Sequence, residues 1–349
     1  MRVASSEEAR LSEARAHLAA VRTPRAAGAG SDAAALRTAY LDLLKLTLCD
    51  LAGSSTTSVG AMPDGGVMAR ELHGGELRLR AAGMDWPLHG LTMVGLGRLD
   101  DLQACVETVV ADGIEGDVIE AGTWRGGAAI LARATLDTLG DERTVWVADS
   151  FRGFPKGPDD DEELDLSAFD FLAVSLEEVR ESFARLGCER GVRFVPGFFE
   201  ESLAALEGGR WAIVRLDADC YEATREALRR LYPGLALGGY LIVDDYGSFE
   251  GCRRAVDEFR SEHAIAEPIE KVDSTCVRWR RESGEPAEWR ATRSIASPHP
   301  PLARRPAHVP TARELELAGQ LADLREQLAA AQAQIGLRAW FRRRLGRTP

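Results

Sequence analysis

A doubly wound α/β domain is the fold the sequence predicts. From residue 99 to residue 263, five short apolar runs alternate with five amphipathic stretches, the pattern of a parallel sheet flanked by helices on both faces. Two further strand-like runs follow, joined by Val-Asp-Ser-Thr at 272–275. They read as a hairpin that adds antiparallel strands at one edge. The expected sheet is mostly parallel and seven-stranded, with a Rossmann-like arrangement of helices.

The first parallel strand is expected at Asp117–Ala121, the second at Thr144–Ala148, the third at Val192–Val195, the fourth at Trp211–Leu216 and the fifth at Tyr240–Val243. Their length and bounding turn residues suit buried strands. Helical periodicity places helices near 99–112, 126–139, 176–187, 221–232 and 249–263. The closing hairpin spans Glu267–Lys271 and Cys276–Arg281.

Outside this frame the composition changes. Residues 1–35 are rich in Ala, Arg and Gly and read as a mobile arm. Leu36 to Leu51 has apolar residues at helical spacing, and the Gly-, Ser- and Thr-rich stretch 52–83 reads as a long loop; together 36–98 make a helix and lid for a domain that ends at 281. Residues 282–310 form a Pro- and Arg-rich linker. Beyond it Leu317, Leu321, Leu324, Leu328 and Ile335 recur at helical steps, which suits either one docked amphipathic helix or a coiled-coil segment that pairs two copies. The tail after it carries five arginines between 338 and 347.

Bulk properties narrow the function classes. A net charge of −12 repels phosphate backbones and argues against a nucleic-acid partner. No run approaches the ~20 apolar residues of a membrane span, and the N-terminus lacks the apolar core of a signal peptide, so a cytoplasmic location is expected. The six cysteines contain no CxxC pair and read as reduced, mostly buried thiols.

The chemistry is expected at the carboxyl ends of the strands, where doubly wound sheets bind ligands. The first strand runs into Glu120-Ala-Gly122-Thr123-Trp124-Arg125-Gly126-Gly127. The glycines do not follow G-x-G-x-x-G, so a dinucleotide fingerprint is missing. Glu120 beside this turn suits a cationic amine. The second strand ends in Asp149-Ser150-Phe151, and an acidic residue there is placed to accept hydrogen bonds from ribose hydroxyls. The two sites describe a pocket for S-adenosylmethionine more closely than one for a nicotinamide dinucleotide.

The fourth strand ends in Asp217-Ala-Asp219 and the fifth in Asp244-Asp245. Four carboxylates gathered at one sheet edge repel one another unless a cation sits among them, and hard oxygen donors without nearby His or Cys point to Mg2+, with Mn2+ or Ca2+ as alternatives. At least three of the four are expected to bind metal. The competing structural account is helix capping, by Asp219 for the helix from Tyr221 and by Asp244 or Asp245 for the helix after Ser248. A metal-bound hydroxyl loses its proton more readily, and Asp217 is the expected general base and a ligand. His73 and His89 fall near the expected lid; a structural role is expected for His89, with assistance to proton transfer as the alternative.

These residues carry a family resemblance. The segments YLDLLKLTLCDL, DWPLHGLTMVGLGRLDDLQ, DVIEAGTWRGGAAI, ADSFRGFP, LAVSLEEV, LDADCYEAT and GGYLIVDDYG, in this order over 36–281, closely resemble the macrocin O-methyltransferase (TylF-type) family. The resemblance implies Mg2+-dependent, S-adenosylmethionine-dependent methylation of a hydroxyl, typically on a deoxysugar of a natural product. It implies metal ligands at Asp217, Asp244 and Asp245, with Asp217 as base, and cofactor contacts at Glu120, Gly122 and Asp149. It also implies a lid that closes over the cofactor through Met93. The family's His before LAVSLEEV is replaced here by ELDLSAFDF, and its Gly-Trp-Phe after Pro196 by Gly197-Phe198-Phe199. Competing expectations are methylation of a catechol or other phenol, a nicotinamide-dependent oxidoreductase, and a non-catalytic scaffold.

Overall fold

The computed structural model describes residues 33–61, 67–155 and 166–284. All lie in the first of the two units into which the chain divides, residues 1–297. The expected arm up to residue 32, the linker beyond 284 and the C-terminal helix with its basic tail fall outside the described residues.

The main sheet follows the expected plan. Its parallel strands are β4 (Asp117–Ala121), β5 (Val145–Asp149), β6 (Val192–Pro196), β7 (Trp211–Leu216) and β8 (Leu235–Val243), and the hairpin is β9 (Glu270–Lys271) and β10 (Val277–Arg280). The order across the sheet is β6-β5-β4-β7-β8-β10-β9, with β10 antiparallel to β8. The chain leaves β4 first towards β5 and β6 and then crosses back to β7, so the switch point of the fold lies beside β4.

Period-two alternation divides the sheet's side chains between two cores. Val118, Val145, Val147, Ile213 and Ile242 face α1 (Ala33–Leu48), α2 (Gly95–Ala111), α3 (Gly127–Leu139) and α4 (Leu176–Arg185). Ile119, Ala121, Trp146, Val214, Leu216, Leu241 and Val243 face α5 (Tyr221–Leu231) and α6 (Glu250–Glu262). The helices are built for these places. The Ala- and Leu-rich α3 is buried over most of its length and stops at Gly140, which takes the left-handed conformation. A Ser175–Glu178 capping box starts α4.

Two expectations are corrected. The stretch 52–83 is not a plain loop: β1 (Thr57–Ala61) pairs antiparallel with β2 (Val67–Glu71) and with β3 (Trp86–Pro87), giving a three-stranded sheet. These runs bury little apolar surface, so their composition resembles a loop's and pairing defines them. Buried Arg80 knits the region together, donating to both oxygens of Asp85 at 2.8–3.1 Å, to the Thr57 carbonyl at 2.8 Å and to the Cys49 carbonyl at 3.1 Å. The other correction is β8, which begins at Leu235. A register shift lets Trp211 pair with Leu235 and Ile213 with Tyr240, and Gly238 at φ +82° lies in the extra length.

Glycines also weld the small sheet's segment to the main domain. A Cβ on Gly83 would lie 2.5 Å from the Val94 carbonyl oxygen, one on Gly95 2.4 Å from the Gly83 nitrogen, and one on Gly127 2.5 Å from the Leu91 carbonyl oxygen. Main chain rests directly on main chain at each point. The cysteines are free, five of them buried. Among the described residues no helix is long and apolar enough to cross a membrane.

Candidate active site

Sheet register assembles the site. Glu120 on β4 stands opposite Arg215 on β7, and Arg215 opposite Ile242 on β8. One step of two residues further along the same face lie Asp217 and Asp244. Four functional side chains thus share the face covered by α2, and that helix contributes Arg98.

Asp217, Asp244 and Asp245 each offer a carboxylate oxygen, and the three oxygens lie within 4.8 Å of one another. Asp244 and Asp245 are buried and Asp217 is half-buried. The donors are hard oxygens only, with spacing and chemistry that fit a small divalent cation such as Mg2+. Burial first, and then the Asp219, Asp217 and Asp244 carboxylates, push the Asp245 carboxyl well above the usual carboxylate range. Asp219 stays outside the trio; its backbone N–H donates to Asp245 Oδ2 at 3.3 Å. Helix capping does not account for these residues. The N-cap of α5 is Cys220 and that of α6 is Phe249, and neither start has a side-chain cap bond.

One part of the sequence argument is corrected. Converging carboxylates do not by themselves demand a bound ion here, because two guanidinium groups already sit among them. Arg215 Nη1 donates to Glu120 Oε1 at 2.6 Å and to Asp217 Oδ2 at 2.8 Å, while Nη2 bonds Asp244 Oδ1. Arg98 bonds Asp244 Oδ2 and Thr275 Oγ1 and reaches Asp273 Oδ2 at 2.8 Å. Sequence reasoning missed both arginines. Arg215 carried a signal: a cation in an otherwise apolar central strand, two residues before Asp217. Arg98 and Asp273, 175 residues apart, carried none.

The expected cofactor cradle is equally dense. Asp149 Oδ2 accepts from the N–H groups of Thr123 at 2.8 Å and Trp124 at 3.2 Å, and Oδ1 from Phe151 N–H at 2.8 Å. Ser150 Oγ lies 3.4 Å from Asp149 Oδ1 and donates to the Gly153 carbonyl at 2.7 Å. Asp149 therefore ties the β4 turn to the end of β5. Thr123 Oγ1 donates to Glu120 Oε2 at 2.8 Å. Burial raises the Glu120 carboxyl to about 7, against the opposing pull of Arg215. Trp124, Phe151 and Asp219 all have φ between +48° and +55°, and such conformations in non-glycine residues cluster where a fold holds a site.

The turn's glycines answer to close packing inside the chain. A Cβ on Gly122 would lie 1.8 Å from the Asp217 carbonyl oxygen, and one on Gly126 2.9 Å from the Phe183 ring. Arg125 also turns inward. Its Nη1 donates to the Pro87, Leu88 and Gly90 carbonyls at 2.9–3.1 Å, and its guanidinium lies 4.1 Å from the Trp124 ring centroid. It clamps the segment before α2.

Trp86 from that segment packs on Phe169 and Phe171, with ring centroids 5.2 and 5.0 Å away, and Trp124 Nε1 donates to the Phe171 carbonyl at 3.1 Å. Met93 and Trp86 line a cleft of about 380 Å³ together with Val59, Leu79 and Met84. His89 and His73 are exposed, and no histidine joins the acidic cluster among the described residues.

Comparison with known proteins fits this arrangement. Residues 37–281 match the model of the macrocin-O-methyltransferase (TylF) family. The chain is 45% identical over 251 residues, 70% of its length and 93% of the relative's, to 8-demethyl-8-(2,3-dimethoxy-alpha-L-rhamnosyl)-tetracenomycin-C 4'-O-methyltransferase of Streptomyces olivaceus. It is 41% identical to mycinamicin III 3''-O-methyltransferase of Micromonospora griseorubida, over 69% of this chain and 96% of that one. The solved structure of the O-methyltransferase NovP superposes with a TM-score of 0.63 at 37% identity, covering 71% of this chain and all of the other. With its methyltransferase sheet and its motifs in family order, the chain belongs to the macrocin-O-methyltransferase (TylF) family and is an S-adenosylmethionine-dependent O-methyltransferase.

Proposed function

We propose that the chain methylates a hydroxyl on a sugar of a glycosylated natural product, with Mg2+ held by Asp217, Asp244 and Asp245. The observation that carries this reading is the trio of carboxylate oxygens within 4.8 Å of one another at the ends of adjacent strands, beside Glu120. The names of two relatives support the acceptor class: one acts on a rhamnosyl tetracenomycin and another on mycinamicin III.

The roles follow from position. Glu120 meets the cationic amine of the cofactor, and Asp149 receives its ribose hydroxyls while the Gly122–Gly126 turn and Ser150–Phe151 line the adenosine. Met93 covers the cofactor from the fixed segment before α2. The sulfonium provides an already activated methyl group. A divalent cation, when bound, lowers the pKa of an acceptor hydroxyl and orients it. Asp217 then takes the hydroxyl proton as the new C–O bond forms and the methyl–sulfur bond breaks. Because the reacting atoms must line up, burial of Asp244 and Asp245 among fixed partners contributes orientation as well as charge.

Mass spectrometry tests the reading directly. Incubation with cofactor, Mg2+ and a rhamnosylated polyketide should add one methyl group to the sugar, and the matching aglycone should be left unchanged. Methylation of a simple catechol in preference to the glycoside would transfer the proposal to phenolic acceptors. Full turnover in excess chelator would remove the metal from it.

A further inference from the structure

The two arginines buried in the acidic cluster have more partners than a structural ion pair needs. Arg215 alone contacts three carboxylates, those of Glu120, Asp217 and Asp244. Arg98 takes the second oxygen of Asp244 and spans to Asp273 and Thr275 in the turn of the β9–β10 hairpin. Both oxygens of Asp244 are thus held by guanidinium groups, one rooted in β7 and the other in α2. Asp245, by contrast, accepts a hydrogen bond from the Asp219 N–H at 3.3 Å.

We infer that Arg215 and Arg98 are resident counter-cations, which balance the charge of Asp217 and Asp244 before any divalent ion arrives. This rests on the proposed metal role of the trio. An isolated buried carboxylate is costly, and an acidic cluster without cations would open or protonate. Here the chain supplies the balancing charge itself, with forked donors whose geometry matches carboxylates. The same charge weakens the metal: every unit of positive charge a few ångströms away opposes a dication. The site is therefore prepared without metal and binds it reversibly, and the fold does not depend on it.

Two measurements on the full-length protein test this. In thermal melts the wild type should lose no more than about 3 °C between about 5 mM MgCl2 and EDTA, since a ligand at a concentration close to its Kd stabilises little by mass action. Arg215→Gln should melt lower in EDTA and regain more of the loss with Mg2+ or Mn2+ than the wild type does. In a Mn2+ titration followed by electron paramagnetic resonance, Arg215→Gln should bind at least about tenfold tighter than the wild type. Arg215→Lys, which keeps the charge, should stay near wild type in Mn2+ affinity. If Arg215→Gln folds only with metal present, that supports the inference. If it folds under neither condition, Arg98→Met takes its place in both measurements.

Wild-type protein that collapses in EDTA, or variants that bind Mn2+ more weakly than wild type, would overturn the counter-cation role while leaving the metal in place. Wild-type protein that shows no specific Mn2+ binding, even with cofactor and acceptor present, would instead remove the metal reading on which the inference rests.

Discussion

The two faces of the main sheet are made by the same strands, yet they end differently. On the face towards α5 and α6 the side chains stay apolar to the carboxyl ends: Ala121, Ala148, Leu216 and Val243 are all fully buried. On the opposite face the apolar rows of Val118 with Ile213 give way at the last step to Glu120, Arg215, Asp217 and Asp244. Alternation lets one strand serve stability and chemistry at neighbouring residues. A buried charge row is tolerable here because its members satisfy one another, while the apolar face beneath keeps the strands in register.

If this division holds, neighbouring substitutions should separate activity from stability. Asp217→Asn keeps shape and should lower kcat by about 10²–10⁴-fold with a melting temperature close to wild type. An unchanged kcat would dissolve the distinction between the faces. One residue away, Leu216→Ala empties core volume and should cost about 2–5 kcal/mol in a denaturant titration, with kcat per folded molecule preserved.

Smaller effects sharpen the contrast. Burial holds the Glu120 carboxyl at about 7 in place of its ordinary 4.5. A raised acid favours its protonated form in the fold, so its contribution to stability is complete below 4.5 and is lost as pH rises through about 7. A cationic ligand prefers the opposite state. Calorimetry should therefore show S-adenosylmethionine binding about tenfold tighter at pH 8 than at pH 6, and Glu120→Gln should bind weakly with a flat profile. Arg125→Met removes the clamp on the Pro87–Gly90 carbonyls. It should raise the KM for cofactor by about three- to tenfold with a smaller change in kcat, measured by steady-state kinetics.

Much of this was legible before any coordinates, because buried parallel strands and amphipathic helices write their periods into the chain. Asp117–Ala121 and Trp211–Leu216 match the expected bounds, and Thr144–Ala148 is displaced by one residue. The β1–β2 hairpin was not legible, since a small sheet with little apolar surface has no period that distinguishes it from a loop. Nor was the first half of β8, where Leu235–Gly239 has the glycines of a turn and gains strand character by pairing beside a bulge. Within the site, the carboxylates announced themselves as strand-terminal acids. Their balance by Arg98 depends on a helix and a hairpin meeting across the fold, which spacing along the chain does not encode.

The contacts at Gly83, Gly95 and Gly127 have a mechanical consequence. Where one backbone lies against another without intervening side chains, there is no soft layer to shear, and residues 83–95 must travel with the starts of α2 and α3 as one piece. That seam cannot serve as the hinge of a door. The facing segment 166–172 is joined to the turn through the Trp124 indole N–H and to Trp86 through edge-on and tilted ring contacts, contacts that part and re-form without straining the backbone. Exchange of spent cofactor for fresh would then be governed by how often those rings separate.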